Sequence, residues 1–146
     1  MNRRSLKAIV GAFAVFAALA YLYDPPWVGG VTSGLRQWEY PPAPDPMFRW
    51  TAGRASLFIP SDAKAVMIPL RSGIPGPLMG EVSVDIRVDG RFLATIRLTD
   101  PAAWVRWELP LGKQVTNRRF RRIDLHVSRA AGEGNLGVMT GPPTVW

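Results

Sequence analysis

Few side chains in this sequence are able to carry a reaction. His126 is the only histidine, and there is no cysteine. If residues 120–127 form a strand, Asp124 and His126 share one face, and Ser128 follows nearby in the sequence. A catalytic triad needs a base within hydrogen-bond reach of an activated nucleophile, and a row along one strand rarely provides that geometry. We therefore predict that the chain is not an enzyme.

Metal and cofactor ligands are also scarce. The absence of cysteine excludes disulfides and thiolate metal sites. Asp85, Asp89 and Asp124 are the loose candidates for a calcium site, but none of them lies in a D-x-D-x-D-G loop. We expect neither a metal nor another cofactor.

Tryptophan and arginine provide the candidate binding residues, since both are common at interaction hot spots. Strand alternation predicts that Trp107 is buried and that Trp104 faces outward beside Arg106, and we also expect Trp50 to be buried. Residues 117–122 (NRRFRR) form the densest cationic cluster. The predicted partner-binding residues are Trp38, Trp104, Arg106, Arg118, Arg119, Phe120, Arg121 and Arg122.

The kind of partner is open between several classes. The rings of Trp38, Trp104 and Trp146 suit either a protein interface or a platform on which sugar rings stack. The arginines suit an acidic lipid or an acidic subunit, unless they form an ordinary solvated surface.

The element that positions these residues is an apolar N-terminal segment. Residues 8–23 (AIVGAFAVFAALAYLY) carry no charge, and residues 6–23 come close to the about 20 residues that a membrane-spanning helix needs. The predicted membrane-anchor residues are Leu6, Ile9, Val10, Phe13, Phe16, Leu19 and Leu22, with Tyr21, Tyr23 and Trp27 as interfacial aromatics.

The charges that flank this segment predict its orientation. Arg3, Arg4 and Lys7 precede it, and basic flanks stay in the cytoplasm. We predict a single span of a bacterial inner membrane, with the remainder of the chain in the periplasm. A cleaved signal peptide is the alternative, because Ala18-Leu19-Ala20 matches a cleavage site. Both interpretations export the C-terminal part.

The composition limits the classes of partner. The formal charge is +7, and without Arg3, Arg4 and Lys7 the exported part keeps 15 basic against 11 acidic residues. Nucleic acid is not expected as a partner outside the cytoplasm. Anionic lipid, acidic glycan and the acidic face of a protein remain.

The exported part divides into a linker and a β domain. Residues 24–46 are rich in proline and glycine, and residues 41–46 (PPAPDP) predict an extended, stiff strut. Residues 35–40 (LRQWEY) could form one short turn. From residue 47 to 146, short alternating runs predict seven to nine strands of an antiparallel sandwich. The predicted boundaries are therefore 1–23, 24–46 and 47–146.

One predicted hairpin raises a question of register. Asp89 and Gly90 suggest a two-residue turn between residues 81–88 and 91–98. Residues that lie opposite each other on two paired strands share a face of the sheet. A two-residue turn would therefore place apolar residues of one strand opposite polar residues of the other. We therefore predict a three-residue loop, with Ile86 opposite Phe92 and Val84 opposite Ala94.

A partial resemblance adds to this interpretation. The run Trp50-Thr51, Gly53, Ala55, Leu57 and Pro60 reads W-T-x-G-x-A-x-L-x-x-P, and Val88-Asp89-Gly90 and Arg129 with Leu136-Gly137 follow it. These residues resemble the β-sandwich accessory domains of some bacterial membrane glycosyltransferases, which share a jelly-roll form with carbohydrate-binding modules. The resemblance covers residues 48–139 and implies a jelly-roll fold and a role beside a polysaccharide transferase.

Together these features predict a non-catalytic accessory or scaffold subunit of a larger inner-membrane complex, of the kind found in respiratory or photosynthetic assemblies. Its predicted partners are integral membrane subunits and the lipid bilayer. The alternative is a glycan-binding module that assists an envelope polysaccharide glycosyltransferase.

Overall fold

The computed structural model describes residues 3–73, 81–114, 117–130 and 136–146. The α-helix α1 spans Arg3–Tyr23, and the short 3-10 helix η1 spans Pro26–Gly30. The strands are β1 (Ser33–Leu35), β2 (Arg49–Pro60), β3 (Ala65–Met67), β4 (Leu70–Arg71), β5 (Val82–Val88), β6 (Arg91–Leu98), β7 (Glu108–Pro110), β8 (Phe120–Val127), β9 (Met139–Thr140) and β10 (Thr144–Val145).

The helix α1 is long and apolar enough to cross a membrane. Its 21 residues extend about 32 Å at 1.5 Å per residue, which matches a hydrocarbon core of about 30 Å. All the predicted anchor residues are exposed: Leu6, Ile9, Val10, Phe13, Phe16, Leu19 and Leu22. Tyr21, Tyr23 and Trp27 are exposed as well. A signal sequence would meet the same criteria of length and composition.

The strands form two antiparallel sheets, which confirms the mainly β class. The larger sheet has the order β4-β9-β2-β8-β5-β6, and β1 also pairs with β2. β1 lies on the edge of β2 away from β8, since Ser56 is between Ser33 and Asp124. The smaller sheet has the order β10-β3-β7.

A single hydrophobic core lies between the two sheets. β5 alternates between buried and half-buried residues, and Val82, Val84 and Ile86 point inward. Ile123 and Leu125 of β8 join them, and Val66 of β3 packs into the same cluster from the smaller sheet. The alternation of the long strands is therefore what builds the sandwich.

The hairpin between β5 and β6 has the two-residue turn that we rejected from the sequence. Val88 pairs with Arg91 across Asp89 and Gly90, both of which have positive φ. A bulge between Ile86 and Arg87 then changes the register, so that Ile86 pairs with Ala94, Val84 with Ile96 and Val82 with Leu98. The predicted three-residue loop is wrong, because the bulge and not the turn brings the apolar residues of both strands to the inward face. Phe92, which the three-residue loop would place opposite the buried Ile86, is 59% exposed.

Two short runs of alternating residues, 65–70 and 103–109, are interrupted where the chain changes sheet. Residues 65–70 divide into β3 of the smaller sheet and β4 of the larger one. Val105 bridges to Leu70, and the chain then returns to the smaller sheet as β7. Trp107 lies between these two contacts and is 55% exposed. Its predicted burial is wrong because alternation does not continue across the change of sheet.

The proline-rich segment is a turn and not an extended strut. Glu39 pairs with Phe48 on either side of it, and the Ala43–Pro44 peptide bond is cis. Residues 33–39 run along the edge of β2, with a shift of register at Gly34, whereas the sequence suggests a short turn at 35–40. Part of the predicted linker 24–46 therefore belongs to the larger sheet.

These strand directions define two ends of the sandwich. β2 begins at Arg49 and ends at Pro60, which pairs with Phe120 at the start of β8. Phe120 also packs against Gly29, just after α1. We call this the helix-proximal end, and the end at Arg49 the distal end. The two ends are about 36 Å apart, since β2 rises about 3.3 Å per residue.

Candidate functional site

The distal end carries a cluster of aromatic and arginine side chains. We call it the distal aromatic cluster, and its members are Trp38, Phe48, Arg49, Trp50, Arg71 and Trp104. They come from four separate parts of the chain. β2 supplies Arg49 and Trp50, and β4 supplies Arg71. The bridge between Val105 and Leu70 brings Trp104 beside them.

The rings and guanidinium groups of this cluster are in contact. The ring of Phe48 lies 6.2 Å from that of Trp50, edge to face, and 6.3 Å from that of Trp104. The Arg49 guanidinium lies 4.5 Å from the centre of the Trp38 ring, and the Arg71 guanidinium lies 6.0 Å from that of Trp104. Both distances are within the range of cation–π attraction.

Arg71 is also held by hydrogen bonds. Its Nη1 donates to Asp45 Oδ1 at 3.2 Å, and its Nε donates to the Pro101 carbonyl at 3.0 Å. The proline-rich turn therefore closes one side of the cluster, because Asp45 lies within that turn.

Two donors in the cluster are buried without an acceptor among the described residues: Arg49 Nε and Trp104 Nε1. Burial lowers the pKa of the Arg49 guanidinium through desolvation. Buried donors in proteins are nearly always hydrogen-bonded, so an unpaired one calls for a functional or structural reason.

An open groove borders the cluster along the free edge of the larger sheet. It has a volume of about 580 Å³ and is lined by Leu35, Arg36, Gln37, Trp38 and Glu39. Small-molecule sites typically have volumes of about 300–1,000 Å³. The groove combines one aromatic ring with amide, carboxylate and guanidinium groups, which suits a polar ligand that has an apolar face.

The helix-proximal end carries the arginine-rich residues 117–122, and much of their charge is used inside the chain. Asp24 accepts hydrogen bonds from the Arg119 backbone N–H at 3.0 and 3.1 Å, and its carboxylate lies 3.4 Å from Arg119 Nε. The Arg118 guanidinium lies 5.0 Å from the centre of the Tyr23 ring. These contacts hold the sandwich directly against the end of α1.

Arg121 is not exposed, although the sequence suggested a partner-binding cation. It is 6% exposed, and it donates to Asp89 Oδ2 at 3.0 Å and to the Gly112 carbonyl. Its position in β8 has the same parity as Ile123 and Leu125, so strand alternation already indicated an inward side chain. Arg122 is exposed and donates to Asp124 Oδ1 at 2.7 Å.

Among the described side chains around His126, no nucleophile is paired with a general base. The Asp124 carboxylate is engaged by Arg122 and by Ser56, whose Oγ lies at 2.8 Å. Ser128 Oγ accepts the backbone N–H of Ser83. Within the described ranges, no three His, Asp or Glu side chains lie together as metal ligands would. The arrangement offers binding groups, and the predicted lack of enzymatic activity stays a prediction.

The predicted partner-binding residues thus divide between the two ends. Trp38 and Trp104 belong to the distal aromatic cluster, although Trp104 is half-buried rather than outward-facing. Arg106 is exposed. Arg118, Arg119, Phe120, Arg121 and Arg122 lie at the helix-proximal end. Sequence reasoning missed Arg49 and Arg71. Aromatic residues flank Arg49 on both sides in the sequence and could have indicated a binding residue, whereas the residues next to Arg71 give no such indication.

The W-T-x-G-x-A-x-L-x-x-P run lies within β2. Thr51 is fully buried, and its Oγ1 accepts the backbone N–H of Val138 at 2.9 Å. A side chain at Gly137 would lie 2.5 Å from that same oxygen. The first and last parts of the resemblance therefore pack against each other, which is a structural reason for their residue types.

No protein-family model matches this chain, and a comparison with curated proteins finds no relative. Among solved structures, one similar fold is a family 35 carbohydrate-binding module from an environmental isolate, at 16% identity and a TM-score of 0.49, covering 84% of this chain and 90% of that chain. Another is the CBM36-1 domain of a multidomain xylanase from the hindgut metagenome of Trinervitermes trinervoides, at 12% identity and a TM-score of 0.45, covering 80% and 89%.

Neither of these two structures is described as part of a membrane glycosyltransferase. At these TM-scores they carry nothing about ligand or activity. The class of the protein rests on its own two sheets and one apolar helix: a mainly β sandwich preceded by a helix that could span a membrane. The jelly-roll form stays a prediction.

Proposed function

We propose that this chain is a non-catalytic, membrane-anchored binding module that holds an acidic glycan at its distal end. The single observation that supports this most directly is the distal aromatic cluster, where two buried N–H donors have no acceptor among the described residues, beside an open polar groove. An unpaired buried donor costs about 1–3 kcal/mol. A ligand oxygen that reached either donor would remove that cost.

The chemistry of the cluster favours a sugar over an apolar ligand. A pyranose ring has a C–H face that packs on an aromatic ring, and its hydroxyl groups accept and donate hydrogen bonds. Trp38 offers a half-buried ring, and Gln37 and Glu39 offer polar groups beside it in the groove. Arg49 adds a guanidinium, which pairs well with carboxylate or phosphate. The preferred ligand is therefore a glycan that carries acidic groups.

The proposed location follows from α1 and its flanks. An exposed apolar helix of 21 residues suits a single span of a bacterial inner membrane. The basic residues before it favour a cytoplasmic N-terminus and a periplasmic sandwich. A glycan of the cell envelope would then approach the distal end, about 36 Å from the helix along β2. Such a module could assist an envelope polysaccharide glycosyltransferase.

The anchor is tested by the size and location of the mature chain. We expect it in the membrane fraction with an intact mass that includes residues 1–20. A water-soluble product that begins at Tyr21 would contradict the anchor. The glycan proposal could still stand in that case, because every residue of the distal aromatic cluster lies after that position.

Glycan binding is tested on the full chain in detergent micelles. Alginate, which is a polyuronate, serves as the acidic probe and dextran as the neutral one, with affinity electrophoresis as the readout. We expect retention by alginate, and Trp38→Ala should weaken it about tenfold or more, the loss of a hot-spot contact worth about 1.4 kcal/mol. Arg49→Gln should reduce alginate binding more than any binding to dextran.

Trp146→Ala is the matched control. The sequence suggested Trp146 as a ring for sugar stacking, but it pairs with Ala65 toward the opposite end of the sandwich, away from the distal aromatic cluster. The substitution should leave retention unchanged. Absence of alginate binding in the unsubstituted chain, or an equal loss in Trp146→Ala, would contradict the proposal.

A scaffold subunit that binds integral membrane proteins is the second candidate. It is favoured by the exposed rings of Phe92 and Trp107, which would suit a protein interface. A scaffold role predicts that other membrane proteins co-purify with the tagged chain in stoichiometric amounts. Membership of a respiratory or photosynthetic complex remains a prediction.

A further inference from the structure

The helix-proximal end contains a second candidate site, which is a small cleft beside the β5–β6 hairpin turn. It has a volume of about 180 Å³. The hairpin supplies one wall through Val88, Asp89, Arg91, Phe92 and Leu93, and residues 111–113 and Arg121 supply the other. The cleft is distinct from the distal aromatic cluster, because it lies at the other end of β2 and β8.

The cleft faces the same end of the sandwich as the end of α1. Asp89 donates its backbone N–H to the Arg122 carbonyl, so the hairpin turn lies beside the start of β8. Arg119, three residues earlier, is bound to Asp24 directly after α1. No spacer separates the helix from this end. If α1 spans a membrane, the cleft lies near the bilayer surface.

Two cations of the cleft are available for a ligand. Arg121 is neutralised by Asp89, whereas Arg91 and Lys113 are exposed and have no carboxylate partner within the described part of the chain. Of the acidic residues that the structure describes at this end, Asp24 and Asp89 are held by arginines, and Asp62 is exposed. The free charge that faces the cleft is therefore positive.

The cleft also has an apolar side. Phe92 projects its exposed ring beside Arg91, and Leu93 and Leu111 line the interior. Arginine or lysine next to exposed aromatic rings is typical of the membrane interface, where the rings sit at headgroup depth and the cations meet lipid phosphate. Trp27 is a further exposed ring close to this end.

We infer that this cleft binds the phosphate headgroup of an anionic phospholipid, with Arg91 and Lys113 on the phosphate and Phe92 at the level of the glycerol. Headgroup binding would orient the sandwich on the bilayer and keep the distal aromatic cluster directed away from it. This inference is independent of the glycan ligand and shares with the proposed function only the anchoring of α1.

Native mass spectrometry of the full chain in a neutral detergent tests the inference. The probes are phosphatidylglycerol, phosphatidylcholine and inorganic phosphate. We expect retained phosphatidylglycerol adducts and few phosphatidylcholine adducts. Arg91→Gln with Lys113→Gln should weaken phosphatidylglycerol binding about 25-fold, since each cation near an anionic surface contributes about fivefold.

The matched control removes the same charge elsewhere. Arg54→Gln with Arg97→Gln alters two exposed arginines outside the cleft and should keep the adducts. Lipid bound at the basic N-terminal flank is common to both variants and cancels in the comparison. Near-ultraviolet circular dichroism should show the same fold in each.

Three outcomes would overturn the inference. They are an equal loss of adducts in the control, equal binding of phosphatidylcholine, and displacement of phosphatidylglycerol by inorganic phosphate, which would assign the site to the free ion. The glycan test uses other residues and another probe, so failure of one proposal leaves the other standing.

Discussion

Replacing Asp89 by asparagine should destabilise the sandwich by about 2–3 kcal/mol, because it removes the charge that neutralises a buried arginine. The Arg121 side chain is almost fully buried, and its Nε lies 3.0 Å from Asp89 Oδ2. The same carboxylate accepts the Arg122 backbone N–H at 3.0 Å through Oδ1. Asp89 therefore joins the hairpin turn to the start of β8.

The expected magnitude follows from the burial of the two partners. Removal of one member of a fully buried ion pair costs about 3–5 kcal/mol. The Asp89 side chain is 23% exposed, so water can compensate part of that cost. Asparagine also keeps one acceptor and tolerates the positive φ of this position, so backbone strain does not contribute. These two effects set the lower value of about 2–3 kcal/mol.

Urea unfolding of the full chain in detergent, followed by tryptophan fluorescence, measures this change. With a slope of about 2 kcal/mol per molar urea, the midpoint should fall by about 1–1.5 M. Asp85→Asn is the matched control, since Asp85 accepts one exposed hydrogen bond from Thr95 Oγ1 at 2.6 Å. It should cost less than about 1 kcal/mol, as exposed interactions do.

A second variant separates the buried charge from a simple loss of contacts. Adding Arg121→Met to Asp89→Asn removes the uncompensated cation and should recover part of the lost stability. The explanation is refuted if Asp89→Asn unfolds at the midpoint of the unsubstituted chain. It is refuted equally if the double variant is less stable than Asp89→Asn.

Two further predictions use the same urea titration. An alanine in the left-handed region costs about 1–2 kcal/mol in strain. Gly34→Ala should destabilise the chain by more than this, because its Cβ would also lie 2.0 Å from the Arg54 carbonyl oxygen, whereas Gly90 has positive φ but open space around it and Gly90→Ala should cost only the strain. Equal effects of the two substitutions would contradict this reasoning. Thr51→Val should cost about 1–3 kcal/mol, because it leaves the buried backbone N–H of Val138 without its acceptor, and an unchanged midpoint would contradict it.

Strand alternation predicted much of the larger sheet. The inward faces of β5 and β8 lie where the sequence places them, because both strands are long and remain in one sheet. At Arg121 the same rule indicates an inward side chain, but its charge was given more weight than its position in the alternation of β8. The rule was applied too far at Trp107, which lies between the Val105 bridge and the start of β7 and belongs to no strand.

The hairpin at Asp89 and Gly90 illustrates a different limit. The turn residues and the hydrophobic pattern pointed to different registers, and the sequence offers no sign of a bulge between Ile86 and Arg87. A bulge depends on how Leu93 and Ala94 pack against the core, which is a property of the assembled sandwich.

The candidate sites depended still more on the assembled chain. Trp38 and Trp104 were candidates from their residue type, but Arg49 and Arg71 join them through contacts that link β1, β2, β4 and the segment after β6. The cleft at Arg91 and Lys113 likewise joins residues that are 22 positions apart in the sequence.

Local periodicity is enough to predict an apolar helix of spanning length, a mainly β domain and the inward faces of its long strands. The side chains that meet at each end could not be predicted in this way, since those contacts depend on sheet order and on where the folded chain crosses between sheets. It also turned the proline-rich segment back onto the sheet, so that the sandwich lies directly at the end of α1.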